Sequence, residues 1–205
     1  MALARLSLQR RTSRERGFTL TEIAIVLGII GLILGAIWVA AASVYTNQKI
    51  GKANTEVMSI SQGIRALYAT TSSTGVADNT DETKAFCTAG VFPQDMVGDC
   101  TTPKISNPWS VASNSTTVKT TSISAGAEDA FEITMTNIPQ SGCVGLLSAV
   151  GGASRDSGLF YLSAGTTAPV YTVGTGSTLP LTPTTAAGLC GNGNNTVVAV
   201  FKLKG

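Results

Sequence analysis

RERGFTLTEIAIVLGIIGLILGAIWVAAASVY, Arg14 to Tyr45, decides the fold. From Ile23 to Ala42 it runs for twenty residues without a charge. At about 1.5 Å per residue a helix of that length spans roughly 30 Å, the hydrocarbon thickness of a bilayer. The segment is therefore expected to cross a membrane. Arg5, Arg10, Arg11, Arg14 and Arg16 precede it against Glu15 alone, so the first 17 residues carry +4. Such a basic flank stays cytoplasmic and sends the rest of the chain outward. A secretory signal peptide would be cut after its apolar run, and Ala40-Ala41-Ala42-Ser43 is the one place for it. The run is long for a signal peptide, however, and flows into more helical pattern.

Glu22 sits at the lip of this run. A carboxylate near a bilayer costs a few kcal/mol unless it is paired. No Lys or Arg lies within a helical turn on its C-terminal side. Proteolysis can supply the missing cation: a cut after Gly17 frees the α-amino group of Phe18 and makes Glu22 the fifth residue of the new chain. In a stack of staggered helices the carboxylate of one copy meets the amine of the next. Glu22 would then be neutralised only on assembly, while the helix dipole already favours a negative charge in its first turn.

Arg16-Gly17-Phe18-Thr19-Leu20-Thr21-Glu22, followed by the apolar run, resembles the signature of the type IV prepilins. The resemblance implies that a membrane peptidase cuts Gly17–Phe18 and methylates the new amine of Phe18. It implies that Glu22 is the assembly residue. It further implies a homopolymer built by an inner-membrane platform, an ATPase and a secretin. Leader length and Phe18 sit closer to the type IVa pattern. The large head, its late disulfide and the phrases Phe92-Pro-Gln-Asp-Met96 and Asn107-Pro-Trp109 resemble the type IVb, conjugation-associated pilins.

Beyond the apolar run, Ala53, Val57, Ile60, Ile64 and Leu67 form one helical stripe, with Lys49, Lys52, Glu56 and Arg65 off it. One helix is expected from Thr19 to about Tyr68 or Ala69, roughly 75 Å long. Gly28, Gly31 and Gly35 interrupt its apolar half, each at a cost of about 1 kcal/mol relative to Ala. They suit close helix approach, or a stretch that unwinds when subunits leave the bilayer and pack. Many type IV pilins carry a proline near the position of Val39.

The remaining 188 residues carry nine Lys and Arg against eleven Asp and Glu. Without the leader, nothing basic is left to hold nucleic acid. Thr70–Glu82 is a polar, glycine-bearing loop; Asp78, Asp81 and Glu82 lack the spacing of a calcium loop and read as solvated. Cys87 to Cys100 reads as a short helix or turn stapled back on itself. Thr116–Ser124, Ala130–Asn137, Leu159–Leu162, Val170–Val173 and Thr196–Phe201 read as strands, the last apolar enough for a central place. The expected fold is α+β: a long N-terminal helix, transmembrane in its first half and amphipathic in its second, packed on an antiparallel sheet. Residues 1–17 are the leader to be removed, 18–45 the transmembrane or filament-core helix, 46–69 its amphipathic half and 70–205 the head.

Cys87, Cys100, Cys143 and Cys190 all follow the membrane segment, and an even count there points to disulfides. Three connectivities are possible. Cys87–Cys100 with Cys143–Cys190 is the simplest, and the second pair matches the C-terminal disulfide-bounded loop of type IV pilins. The sequence has no His, which excludes Ser-His-Asp and Cys-His catalysis and leaves no zinc spacing. No catalytic residue, metal or cofactor is expected. Gly174-Thr-Gly176 and Gly188–Gly193 read as turns, and the sequons at Asn114 and Asn194 as coincidence.

The expectation is a non-enzymatic major pilin, a single-pass inner-membrane prepilin with its head in the periplasm, later part of an extracellular fibre for adhesion, aggregation or DNA transfer. A pseudopilin of type II secretion shares the N-terminus. A minor pilin or tip adhesin is a third reading.

Overall fold

The computed structural model of the chain describes residues 17–175 and 178–204. The leader arginines, and Gly176 of one glycine turn, lie outside them. Helix α1 spans Leu20–Leu67, 48 residues without a break. The chain divides into two compact units, residues 1–42 and 43–205.

In the first unit every described residue is exposed. An 18-residue window of α1 has a mean hydropathy of 2.8, so the helix is long and apolar enough to cross a membrane. Its surface is uniformly apolar, which for a helix with no protein around it suits lipid or other helices.

The second unit is built on the later part of α1. Here Ala53, Val57, Ile60 and Ile64 are buried, as their four-and-three spacing requires. The chain continues through α2 (Thr83–Thr88), β1 (Val97–Asp99), β2 (Lys104–Ile105), β3 (Thr116–Thr121) and β4 (Ala130–Ile138). Then come α3 (Gln140–Gly151), β5 (Leu159–Gly165), α4 (Pro183–Leu189) and β6 (Asn195–Lys202). The main sheet has the order β3-β4-β6-β5 with every pair antiparallel. The apolar β6 takes an inner position, where both of its edges are paired. Val118, Phe131, Ile133, Met135, Val197, Ala199 and Phe201 join the α1 stripe in one hydrophobic core. Phe131 pairs in register with Phe201, and their rings stack at 5.7 Å. The outer edge of β3 is covered by the loop before α2: Asn79 N donates to Thr120 O at 2.8 Å and Glu82 N to Val118 O at 3.0 Å.

Three expectations need correction. Val170–Val173 is not a strand. Tyr171 alone turns inward, onto Phe160 and Tyr161, while both valines stay exposed. The segment crosses the sheet as a loop and pairs with no strand. The region after Thr121 turns away from β4 sooner than read, with Ile123 N donating to Asp129 Oδ1 at 2.7 Å. Helices α3 and α4 were not anticipated. Three glycines disguise α3, and each sits where another element presses on it: Trp109 at Gly142, Ile50 at Gly145, Leu162 and Leu181 at Gly151. Tertiary packing overrides their low helix propensity. Helix α4 is short but well started, with Pro183 in its first turn and Thr182 Oγ1 accepting from Thr185 N at 3.2 Å.

Candidate assembly site at the start of helix α1

Thr19 is the N-cap of α1 and Glu22 its third helical residue. Glu22 N donates to Thr19 Oγ1 at 3.3 Å. In return Glu22 Oε2 accepts from Thr19 N at 2.9 Å and from Thr19 Oγ1 at 2.9 Å. This reciprocal pair is a capping box, which satisfies two backbone donors that a helix start leaves orphaned. It also fixes where the carboxylate points. Phe18, 81% exposed, stands one residue ahead of the cap. With Glu22, Ile23, Val26 and Leu27 it lines an apolar hollow of about 220 Å³. The subunit thus presents a carboxylate and an apolar recess side by side, a surface suited to an ammonium group carried on an apolar chain end.

Gly28, Gly31 and Gly35 lie within unbroken helix, and a Cβ at any of them would meet no atom within 4 Å. No contact among the described residues requires them. In the head, Cys87 is bonded to Cys100 and Cys143 to Cys190, with Cα separations of 5.5 and 6.0 Å. The second bond ties α3 to the end of α4. Among the described residues no group of three His, Cys, Asp or Glu side chains is placed to hold a metal. Asp78 and Asp81 serve the loop itself: Asp78 Oδ1 accepts from Ser122 Oγ and Asp81 Oδ1 from Thr83 N.

Two charged constellations were not read from the sequence: apart from Lys52 and Glu56, which are one helical turn apart, their members are distant in the chain. Arg65 donates from both terminal nitrogens to Asp156, each at 2.9 Å, and from Nε to Lys202 O at 3.0 Å. This pins the end of α1 to the α3–β5 loop and to β6. Arg65 holds the Asp156 carboxyl below the usual range. Lys52 Nζ lies 2.7 Å from Asp95 and 3.8 Å from the buried Glu56.

Residues 12–38 match the prokaryotic N-terminal methylation motif, and residues 47–202 match the PilS N-terminal family. No curated protein matches the chain. Among solved structures it is similar to TcpA, a type IV pilin from Vibrio cholerae El Tor biotype, at 18% identity and a TM-score of 0.50, over 75% of this chain and 98% of that one. It is also similar to a type IVb pilin from Salmonella typhi, at 20% identity and a TM-score of 0.50, over 73% and 97% of the two chains. At these identities the likeness speaks for the fold: a long N-terminal helix with an antiparallel head. The family match covers most of the chain, and the methylation motif covers the segment that the family match leaves out. The chain therefore belongs to the PilS family, carries the prokaryotic N-terminal methylation motif and has the type IV pilin fold, that of a structural subunit and not of an enzyme.

Proposed function

We propose that the chain is the major subunit of a type IV pilus, cut by prepilin peptidase between Gly17 and Phe18 and methylated at Phe18. Residues 1–17 are the discarded leader, 18–45 the membrane and later filament-core helix, 46–69 its amphipathic half and 70–205 the head. Before assembly the subunit spans the inner membrane once with its head in the periplasm. An inner-membrane platform, an ATPase and a secretin then build the fibre, whose output is adhesion, aggregation or conjugative DNA transfer.

The observation that carries this reading is the Glu22 site. The carboxylate is exposed, it is oriented by the capping box, and among the described residues its hydrogen-bond partners all belong to Thr19. Cleavage creates a cation one residue ahead of that cap. The amine of a neighbouring copy can approach Glu22 along the apolar hollow, and desolvation there strengthens the pairing. Gly28, Gly31 and Gly35 are available for closer helix approach, or for unwinding, once copies pack.

Mass spectrometry of sheared surface fibres tests the proposal, together with electron microscopy of a Glu22→Val strain. Abundant fibres of a subunit that starts at N-methyl-Phe18, and their loss in Glu22→Val, are expected. Short or absent wild-type fibres would point to a secretion pseudopilin instead.

A further inference from the structure

We propose that the end of the head where α1 enters it is a lipid-docking face. Before polymerisation, Tyr45, Lys49, the turn bearing Pro108 and the adjoining Val111 rest on anionic headgroups. This rests on the reading of residues 18–45 as a membrane span, and the experiment below separates the two.

Tyr45, Gln48, Lys49 and Lys52 of α1 and Pro108 line one groove of about 270 Å³. Pro108 and Trp109 form a turn closed on itself, and Val111 directly follows it. Asn107 N donates to Ser110 O at 2.9 Å, and Ser110 N to Asn107 O at 3.1 Å. The Asn107 amide anchors this turn to the sheet by donating to Ser115 O at 3.0 Å and to Thr136 O at 2.9 Å. Trp109 folds inward against Gly142, while Val111 points out and is 92% exposed. After Tyr45, the exposed large apolar side chains among the described residues are Leu67, Val111, Val170 and Val173, and Val111 is the most exposed of them. It is an apolar knob next to an anchored turn, with no intramolecular use.

The chemistry around it is that of a bilayer boundary. Tyr45 is 60% exposed, and Lys49 Nζ stands 4.6 Å over its ring. An aromatic ring paired with a lysine suits the headgroup level, where one end of each side chain is apolar and the other wet. Lys52 is taken up by Asp95 at 2.7 Å, so Lys49 carries the net positive charge of the groove. Tyr45 follows the last residue of the apolar run by three positions in the chain. If that run lies in hydrocarbon, connectivity alone places Tyr45 and Lys49 at the outer boundary. Apolar knob, aromatic and lysine together fit an anionic lipid surface.

The two tryptophans, Trp38 and Trp109, provide the test. The full chain is reconstituted in vesicles of phosphatidylcholine, with and without phosphatidylglycerol. The Trp38→Phe variant leaves Trp109 as reporter and is probed with headgroup-spin-labelled lipid. The Trp109→Phe variant leaves Trp38 and is probed with acyl-chain-labelled lipid. Quenching of Trp109 that rises with phosphatidylglycerol is expected. In the Trp38→Phe background, Val111→Asp should abolish it, Lys49→Gln should lower the docked-to-undocked ratio about fivefold, and Val170→Asp should leave it unchanged. Val111 and Val170 are exposed, so the fold should survive both changes, which circular dichroism checks. Trp38 quenched with Trp109 unquenched, or Trp109 quenched equally in all variants, overturns the docking face and leaves the span standing. Trp38 unquenched overturns both. Quenching that follows protein density and ignores lipid charge assigns the face to a second copy of the chain and also overturns the proposal.

Discussion

Glu56 is 4% exposed, and burial pushes its carboxyl up to about 7; Lys52 pulls it back down and Asp95 pushes it up. Its Oε2 is buried without a hydrogen-bond partner. In the unfolded chain the same group titrates near 4.5. Between those values the folded state holds a proton that the unfolded state has lost. Stability is therefore full below the unfolded value and falls as pH rises toward about 7. Glu56→Gln should remove this slope: the variant gains Tm over the parent at pH 8 and little at pH 4. Thermal melts of the full chain in detergent across that range check it, and equal gains at both pH values would refute it. Asp156 has the opposite sign. Its carboxyl is held low by Arg65, so its contribution is present above the unfolded value and is lost on acidification. Both side chains of that pair are about four-fifths buried, with 19% and 18% of their surface exposed. Arg65→Ala leaves Asp156 without its partner and should cost about 2–3 kcal/mol. Arg65→Lys should recover only part of that, since a single ammonium cannot reproduce the two-pronged contact. Chemical denaturation of the three proteins measures both differences.

At the scale of elements, what the sequence made legible follows from period and continuity. The α1 stripe has a 3.6-residue period and one unbroken apolar run, so the helix was placed to within two residues of its end at Leu67. Strands β4 and β6 alternate or run apolar over eight or nine residues and were found. Helix α3 was missed because Gly142, Gly145 and Gly151 count against a helix in any local reading. Their reason is the close approach of Trp109, Ile50, Leu162 and Leu181, visible only in three dimensions. Val170–Val173 has strand composition but no partner strand, and a strand is defined by its pairing. Of the proposed site, Gly17, Phe18 and Glu22 were named from one short stretch, while Thr19 was passed over as the partner that orients Glu22, although its spacing of three from that glutamate ahead of an apolar run is the sequence mark of a capping box. The two groups of glycines should respond in opposite ways. Gly151→Ala places a methyl 2.6 Å from Leu162 Cδ2 and should destabilise the head by about 1–3 kcal/mol. Gly31→Ala with Gly35→Ala meets nothing in the subunit and should leave the melting of the head unchanged. Any effect of that double change should appear only in fibres, as altered stiffness under force or reduced assembly. A lower Tm in the isolated subunit would show that those two glycines serve the fold.

At the scale of the whole molecule, the head depends on closure of its long loop. The head's main sheet has four strands, and much of the chain between β5 and β6 is irregular. Such a segment has little regular structure of its own to offset the entropy of ordering it. Cys143 and Cys190 are 47 residues apart, and their bond encloses most of α3, all of β5 and α4. In the loop-entropy relation a bond of that span destabilises the unfolded chain by about 4 kcal/mol, against about 3 kcal/mol for the 13-residue separation of Cys87 and Cys100. Domain stabilities are about 5–15 kcal/mol, so the longer bond is a large share of the total. Replacing Cys143 and Cys190 together by serine should therefore lower the unfolding free energy more than replacing Cys87 and Cys100. The site of failure should differ too. Limited proteolysis of the first variant should cut first between residues 166 and 182, where the described residues are outside any strand or helix. The second should open between residues 89 and 96, beside the Lys52–Asp95 pair. Equal free-energy losses, or a common first cut in both variants, would mean that the two bonds do not act on separate loops.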